Sequence, residues 1–192
     1  MEIARYNENI RWLDTERDNC IIYEKGHQSG GIPLPNVGRE SHTYLHYIIT
    51  HYDTLPEVVV FTQARISDHK GADDVNYLLH IKNEAMIHLK SVPTAVNENI
   101  ASWNLQANGS YYLHHNYKNN TPLLFSDWFK RNVHIDFPNP TISYSHAIFA
   151  VHRDLILSNP VSYYQHLIHE VDHHSDPSEG HFFERSWWYI FK

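Results

Sequence analysis

The densest group of reactive side-chain types is His169-Glu170-Val171-Asp172-His173, which fits the H-E-x-x-H pattern. In that pattern two histidines one helical turn apart share a zinc ion, and the glutamate activates a water molecule. The surrounding residues argue for a simpler reading. On a helix from Ser162 to His173, Tyr163, Tyr164, Leu167, Ile168 and Val171 form one apolar stripe. At about 100° per residue, His169 and His173 fall almost opposite that stripe and are expected to face solvent. A catalytic zinc helix lies under a covered cleft instead. Glu179 also stands where the most familiar spacing has a third histidine. A zinc hydrolase using His169, Glu170 and His173 is therefore the alternative function, and a polar helix face the preferred reading.

Three further constellations can do chemistry. Gln63-Ala64-Arg65-Ile66-Ser67-Asp68-His69 follows an apolar run, and a carboxylate beside an imidazole suits a divalent cation that could hold a diphosphate. The competing reading is a turn, since Ser67 and Asp68 are ordinary loop residues. In Asn36-Val37-Gly38-Arg39-Glu40, Gly38 permits a close approach, a helix start attracts an anion, and Arg39 can fork onto phosphate. The competing reading is a helix start with Glu40 complementing the dipole. In Gly180-His181-Phe182-Phe183-Glu184, His181 and Glu184 are three apart and share a helix face, as a metal ligand and a general base would. The same helix can dock Phe183, Trp187 and Ile190 into a core.

The elements that must position these groups read as alternating strands and helices. Met1–Arg5 is a strand, Glu8–Leu13 a short helix with Ile10 and Leu13 inward, and Cys20–Tyr23 a second strand. A Gly- and Pro-rich loop from Gly26 to Gly38 precedes a helix from Glu40 to Tyr52, with Tyr44, Leu45, Ile48, Ile49 and Tyr52 on one stripe. Val58-Val59-Val60-Phe61 is a strand buried on both faces. This order predicts a mostly parallel twisted sheet flanked by helices, with ligands outside the carboxyl ends of the strands. A helix from Asp73 to Lys90 follows, with Val75, Leu78, Leu79, Met86 and Leu89 inward. Residues 92–125 read as loop with one short strand, and Ser126 as the cap of a helix carrying Trp128 and Phe129. Ala147–Val151 reads as a strand, and Arg153–Leu157, Ser162–His173 and Phe182–Phe191 as helices.

Composition sets the bounds. The 192 residues suit a single domain, and 42% apolar with 19% charged residues is globular composition. A net charge of −7 without a Lys/Arg cluster argues against nucleic acid as partner. No apolar run approaches the roughly 20 residues of a membrane span. The single cysteine, Cys20, forms no internal disulfide, and the expected setting is cytoplasmic. The sequons at Asn108 and Asn119 read as chance.

Taken together, these segments resemble an uncharacterised domain family of bacteria, fungi and large viruses whose members look like compact glycosyltransferases of the A-type fold. The resemblance rests on Ala4-Arg5-Tyr6-Asn7-Glu8 with Trp12-Leu13, Leu34-Pro35-Asn36-Val37-Gly38-Arg39-Glu40, and His42-Thr43-Tyr44-Leu45-His46-Tyr47-Ile48. It continues through Leu55-Pro56, Phe61-Thr62-Gln63, Asp68-His69, Ala147–Val151 with Arg153, and Gly180-His181 with Glu184-Arg185-Ser186-Trp187. It covers most of the chain in order, without residues 92–140.

The resemblance implies a nucleotide-sugar donor at the strand ends, a carbohydrate or glycan acceptor, and Mn²⁺ or Mg²⁺ as cofactor. Arg5, Tyr6 and Asn7 would meet base and ribose, and Arg39 the diphosphate. Glu8, Asn36, Gly38, Gln63 and Arg65 complete the expected donor-binding set. The usual Asp-x-Asp metal motif is absent from the chain, and Gln63 with Asp68-His69 stands in its neighbourhood; that absence makes a non-catalytic carbohydrate- or nucleotide-binding relative a further alternative function. The expected metal ligands are thus Asp68, His69 and His181, and the expected base is Glu184.

Overall fold

The structure, a computed structural model, describes residues 1–27, 29–88, 90, 95–97, 124–138 and 140–191. Its centre is a five-stranded sheet of β1 (Glu2–Arg5), β2 (Ile21–Glu24), β3 (Ile32–Pro33), β4 (Val58–Gln63) and β7 (Phe149–His152), ordered β3-β2-β1-β4-β7. β1 runs parallel to both β2 and β4, and β3 runs parallel to β2. β7 closes the far edge antiparallel to β4, with Val59 opposite Val151. A separate antiparallel pair joins β5 (Ala95–Asn97) to β6 (Thr141–Ser143). The chain is a mixed α/β fold with a mostly parallel sheet, as its alternating pattern predicts.

Period-two alternation sends side chains to both faces of the sheet. Val59 and Phe61 of β4 enter one apolar cluster, while Val58 and Val60 enter the other. The first cluster is covered by α1 (Arg39–His51), α4 (Phe125–Val133), α6 (Val161–Ile168) and α7 (Glu179–Ile190), through Tyr44, Trp128, Leu167 and Trp187 among others. The second is covered by the 3₁₀ segment Arg11–Asn19, through Leu13, and by α3 (Val75–His88), through Leu78, Ile81 and Ala85. α2 (Ser67–Lys70) and α5 (Arg153–Leu157) are short connectors. Helices on both faces of a parallel sheet leave the strands' carboxyl ends as the open edge.

Several local expectations are corrected. β3 lies within the segment read as loop; it is two exposed residues long, and Pro33 suits a sheet edge because it has no N–H to donate. α3 turns Ile81 and Ala85 inward, whereas Met86 is 48% exposed, one residue off that stripe; Leu89 lies outside the described residues. Most of the stretch from 92 to 125 lies outside them too. α4 is preceded by Leu124, so Ser126 sits within its first turn instead of capping it. α6 stops at Ile168, five residues early, because His169 to His173 form turns. α7 begins at Glu179, which brings His181 and Glu184 onto its first turns.

Candidate functional site

Arg5 ends β1 and is nearly buried. Its guanidinium pairs with Glu24 at 3.2 Å and donates to the carbonyls of Glu8 (2.8 Å) and Ser29 (3.2 Å). Glu24, at the end of β2, accepts the N–H of Gly26 at 2.7 Å and of Asn7 at 3.3 Å. Asn7 stands at φ 62° and its side-chain oxygen accepts the His27 N–H at 2.8 Å. Gly26 leaves room for this contact, since an added Cβ would lie 2.3 Å from that oxygen and the Asn7 side chain would have to turn away. The Arg5–Glu24 pair thereby locks the turns after β1 and β2 together. Tyr6, 50% exposed, and Glu8, whose carboxylate accepts the Tyr6 N–H, are left facing the cleft.

Lys25, the next residue, fixes the start of α1. Its buried ammonium donates to the carbonyls of Val37 and Arg39. Burial lowers its pKa to about 8, against the raising influence of Glu40 and Glu2. Gly38 and Arg39 both take left-handed backbone, at φ 64° and 50°. The turn after α6 buttresses them: Gly38 N–H reaches the His174 carbonyl at 2.7 Å and Arg39 N–H that of Ser175 at 3.3 Å. The Arg39 side chain, 34% exposed, lies 3.6 Å from both Glu40 and Asp176 and 2.9 Å from Nε2 of His181. Gly180 makes room for it, since a Cβ there would meet Arg39 Cδ at 3.3 Å.

Glu184 sits 3.7 Å from Nδ1 of His181 and 3.1 Å from Arg185, whose guanidinium also donates to the His181 carbonyl at 2.9 Å. Burial would raise the Glu184 pKa, but the His181 hydrogen bond and the charges of Arg185, His181 and Arg39 outweigh it and hold it at about 2. Glu184 is thus an anion throughout the neutral range.

A further residue joins this edge that sequence reasoning missed. His146 stacks on His69 with ring centres 4.0 Å apart and planes 8° from parallel. Burial lowers its pKa, as does His69, while Glu184 opposes the shift and Lys70 and Arg185 add to it. His146 and Ala147 are both left-handed, at φ 60° and 55°. Gln63 donates to the His146 carbonyl and Tyr44 to that of Ala147, each at 3.0 Å. Among the described residues, five non-glycines have positive φ; Asn7, Arg39, His146 and Ala147 belong to this edge, while His134 ends α4. Such backbone costs on the order of 1–3 kcal/mol per residue, and it clusters at functional sites.

A cleft of about 220 Å³ gathers Arg5, Tyr6, Glu8, Asn36, Arg39 and Gln63 from the expected donor-binding set, with Ala4, Lys25 and Glu40. Asn7 lines a neighbouring opening of about 700 Å³ beside Arg11, Asp14 and Arg17. Arg65 stands apart, 3.7 Å from Asp68 on the surface. The expected metal ligands are not assembled: no group of three His, Cys, Asp or Glu among the described residues could hold a metal ion. Asp68 is 60% exposed on Arg65, His69 stacks on His146, and His181 faces Arg39 and Glu184. The zinc-motif residues lie beyond the end of α6, without the helical spacing that motif needs. His169 and His173 are exposed as expected, and Glu170 accepts from Trp128 at 2.8 Å and Arg131 at 2.9 Å.

Fold and site together define an α/β domain with a polar cleft at the carboxyl ends of its parallel strands. The chain belongs to the family described as a protein of unknown function, DUF3431, whose model matches residues 3–192. No curated protein and no solved structure matches it. Among the described residues, no helix is long and apolar enough to cross a membrane.

Proposed function

We propose that the protein is a small glycosyltransferase of the A-type fold, moving a sugar from a nucleotide-sugar donor to a hydroxyl of a carbohydrate or glycan acceptor. The observation that carries this reading is the meeting of Arg39 from α1 with His181 and Glu184 from α7, beside the cleft at the strand ends. In this reading the exposed Tyr6 ring offers a face for the base, with Asn36 and Gln63 as nearby polar groups. Arg39 meets the diphosphate. Glu184 takes the proton of the acceptor hydroxyl as its oxygen bonds to the anomeric carbon. The bond from that carbon to the diphosphate breaks, and the leaving group departs with the electron pair. An Arg39 turned toward phosphate removes one of the charges that hold Glu184 acidic, while the His181 hydrogen bond and the Arg185 charge remain.

The test is a thermal-shift panel of uridine, guanosine and cytidine diphosphates and their sugar forms, with Mn²⁺, Mg²⁺ or EDTA. A ligand at about 100 times its Kd stabilises the native state by about 2.7 kcal/mol, a rise of about 5–10 °C at this chain length. No rise with any nucleotide in any buffer would sink the proposal.

The acidity of Glu184 favours a second reading, a nucleotide- or carbohydrate-binding relative without turnover. Nucleotide binding with neither donor hydrolysis nor transfer, in the native chain and in Glu184→Gln alike, would select it.

A further inference from the structure

Nothing in the transfer step uses His146, yet the fold holds it in backbone that residues other than glycine rarely adopt. The short segment Ser145–Ala147 lies between β6 and β7 and packs against α7 and β4. His146 stands there at φ 60° and ψ 22°, a left-handed position that glycine takes without steric penalty. Gln63, which lines the cleft, holds the His146 carbonyl, and Tyr44 holds that of the equally left-handed Ala147. An imidazole kept where glycine is the easier residue points to a use for the ring.

The half-buried ring has one face covered by the exposed His69, stacked at 4.0 Å and 8° from parallel. That stack sets the plane of the ring and leaves its edge, with both nitrogens, for other contacts. Among the described residues, neither ring nitrogen has a hydrogen-bond partner. Glu184 and Arg185 of α7 lie within electrostatic reach of the ring, as does Lys70 of α2. His146 thus adjoins both the cleft residue Gln63 and the candidate base Glu184. In the transferase reading the sugar lies in that neighbourhood, with its diphosphate on Arg39 and its anomeric carbon beside Glu184. A neutral imidazole carries one donor and one acceptor, a pair that a sugar hydroxyl satisfies.

We infer that the His146 imidazole hydrogen-bonds a hydroxyl of the donor's sugar and so takes part in selecting that sugar. This rests on the nucleotide-sugar reading and names a residue that tells the sugar form from the bare nucleotide. The experiment is calorimetric titration of the full chain and of His146→Gly, in Mn²⁺ and again in EDTA. The ligands are the nucleoside diphosphates of the panel and their sugar forms. Glycine takes left-handed backbone freely, so the variant should melt within about 5 °C of the native chain. Its affinity for the bare diphosphate should stay within about twofold of native. Its affinity for the sugar form should fall at least about fivefold, the order of one lost hydrogen bond. His146→Asn tolerates the same conformation without the ring, and it covers the case in which glycine loosens the segment. It should show the same split between the two ligand forms. An equal change for both forms, or no change, overturns the inference and leaves the transferase reading standing. A larger fall in melting temperature in both variants also overturns it, because the ring then serves the fold. Binding of no nucleotide to the native chain in either buffer overturns both.

Discussion

Gln63 holds His146 in a left-handed backbone conformation: its side-chain amide donates to the His146 carbonyl at 3.0 Å, where His146 stands at φ 60°. The contact joins the end of β4 to the residues just before β7, and it presents the His146 ring to His69 at 4.0 Å. Gln63→Ala should therefore cost about 1 kcal/mol of stability, the worth of one hydrogen bond. It should also shift the imidazole resonances of His146 and His69. Unchanged urea midpoints together with unmoved imidazole signals would show that the amide is not the anchor.

The Arg5–Glu24 pair predicts a larger loss. Both side chains are almost wholly buried, and their 3.2 Å contact ties the first two parallel strands at their carboxyl ends. Removing one partner of a buried pair leaves an uncompensated charge and costs about 3–5 kcal/mol. Glu24→Gln should fall in that range by chemical denaturation. A loss below about 1 kcal/mol would mean that Arg5 finds another anion or water and is not a structural strut.

The sheet was largely legible because its signals are compositional. The continuous run Val58 to Phe61 and the stripe through Tyr44 and Ile48 report burial directly, and both lie where that burial requires. Arg39, His181 and Glu184 were legible as helix-start residues, and the folding of α1 against α7 brings them together. The rest of the edge was not. Nothing in the residue types of His146 and Ala147 announces two successive left-handed positions, because tertiary hydrogen bonds from Gln63 and Tyr44 impose them. The end of α6 was hidden because Val171 continues the apolar spacing while being buried from a turn. Nothing in the residue type of Lys25 announces that it pins the backbone of Val37 and Arg39.

Acid should destabilise the fold in two steps. His42 is 7% exposed, and burial lowers its pKa to about 4, helped by Lys25 and His46 and opposed by Asp172. A base with a depressed folded pKa binds fewer protons in the native state than in the unfolded one. Its contribution is complete above the ordinary value of 6.5 and is lost as pH falls toward about 4, on the order of 3 kcal/mol. Glu184 contributes above its ordinary 4.5 and loses that contribution as pH falls through about 2. His42→Gln should flatten the stability profile between pH 6.5 and 4 while leaving the lower step in place. A slope in the upper window that survives the substitution would assign it to other groups.

The two glycines near Arg39 should separate folding from binding. At Gly38 an added Cβ would lie 2.4 Å from the Val171 carbonyl and 2.6 Å from His42 Cβ, on backbone at φ 64°. Neither neighbour is a flexible tip, so Gly38→Ala should destabilise by about 2 kcal/mol or more, beyond the roughly 1 kcal/mol of left-handed backbone alone. At Gly180 the nearest atom is Cδ of Arg39 at 3.3 Å, which can move with its side chain. Gly180 also begins a helix, where alanine is the better former by about 1 kcal/mol. Gly180→Ala should therefore keep or slightly raise the melting temperature while displacing the guanidinium. In the nucleotide panel its affinity should fall several-fold although the fold is intact. Equal affinity in Gly180→Ala and the native chain would mean that Arg39 reaches the phosphates from more than one position, and that its present setting is not what selects them.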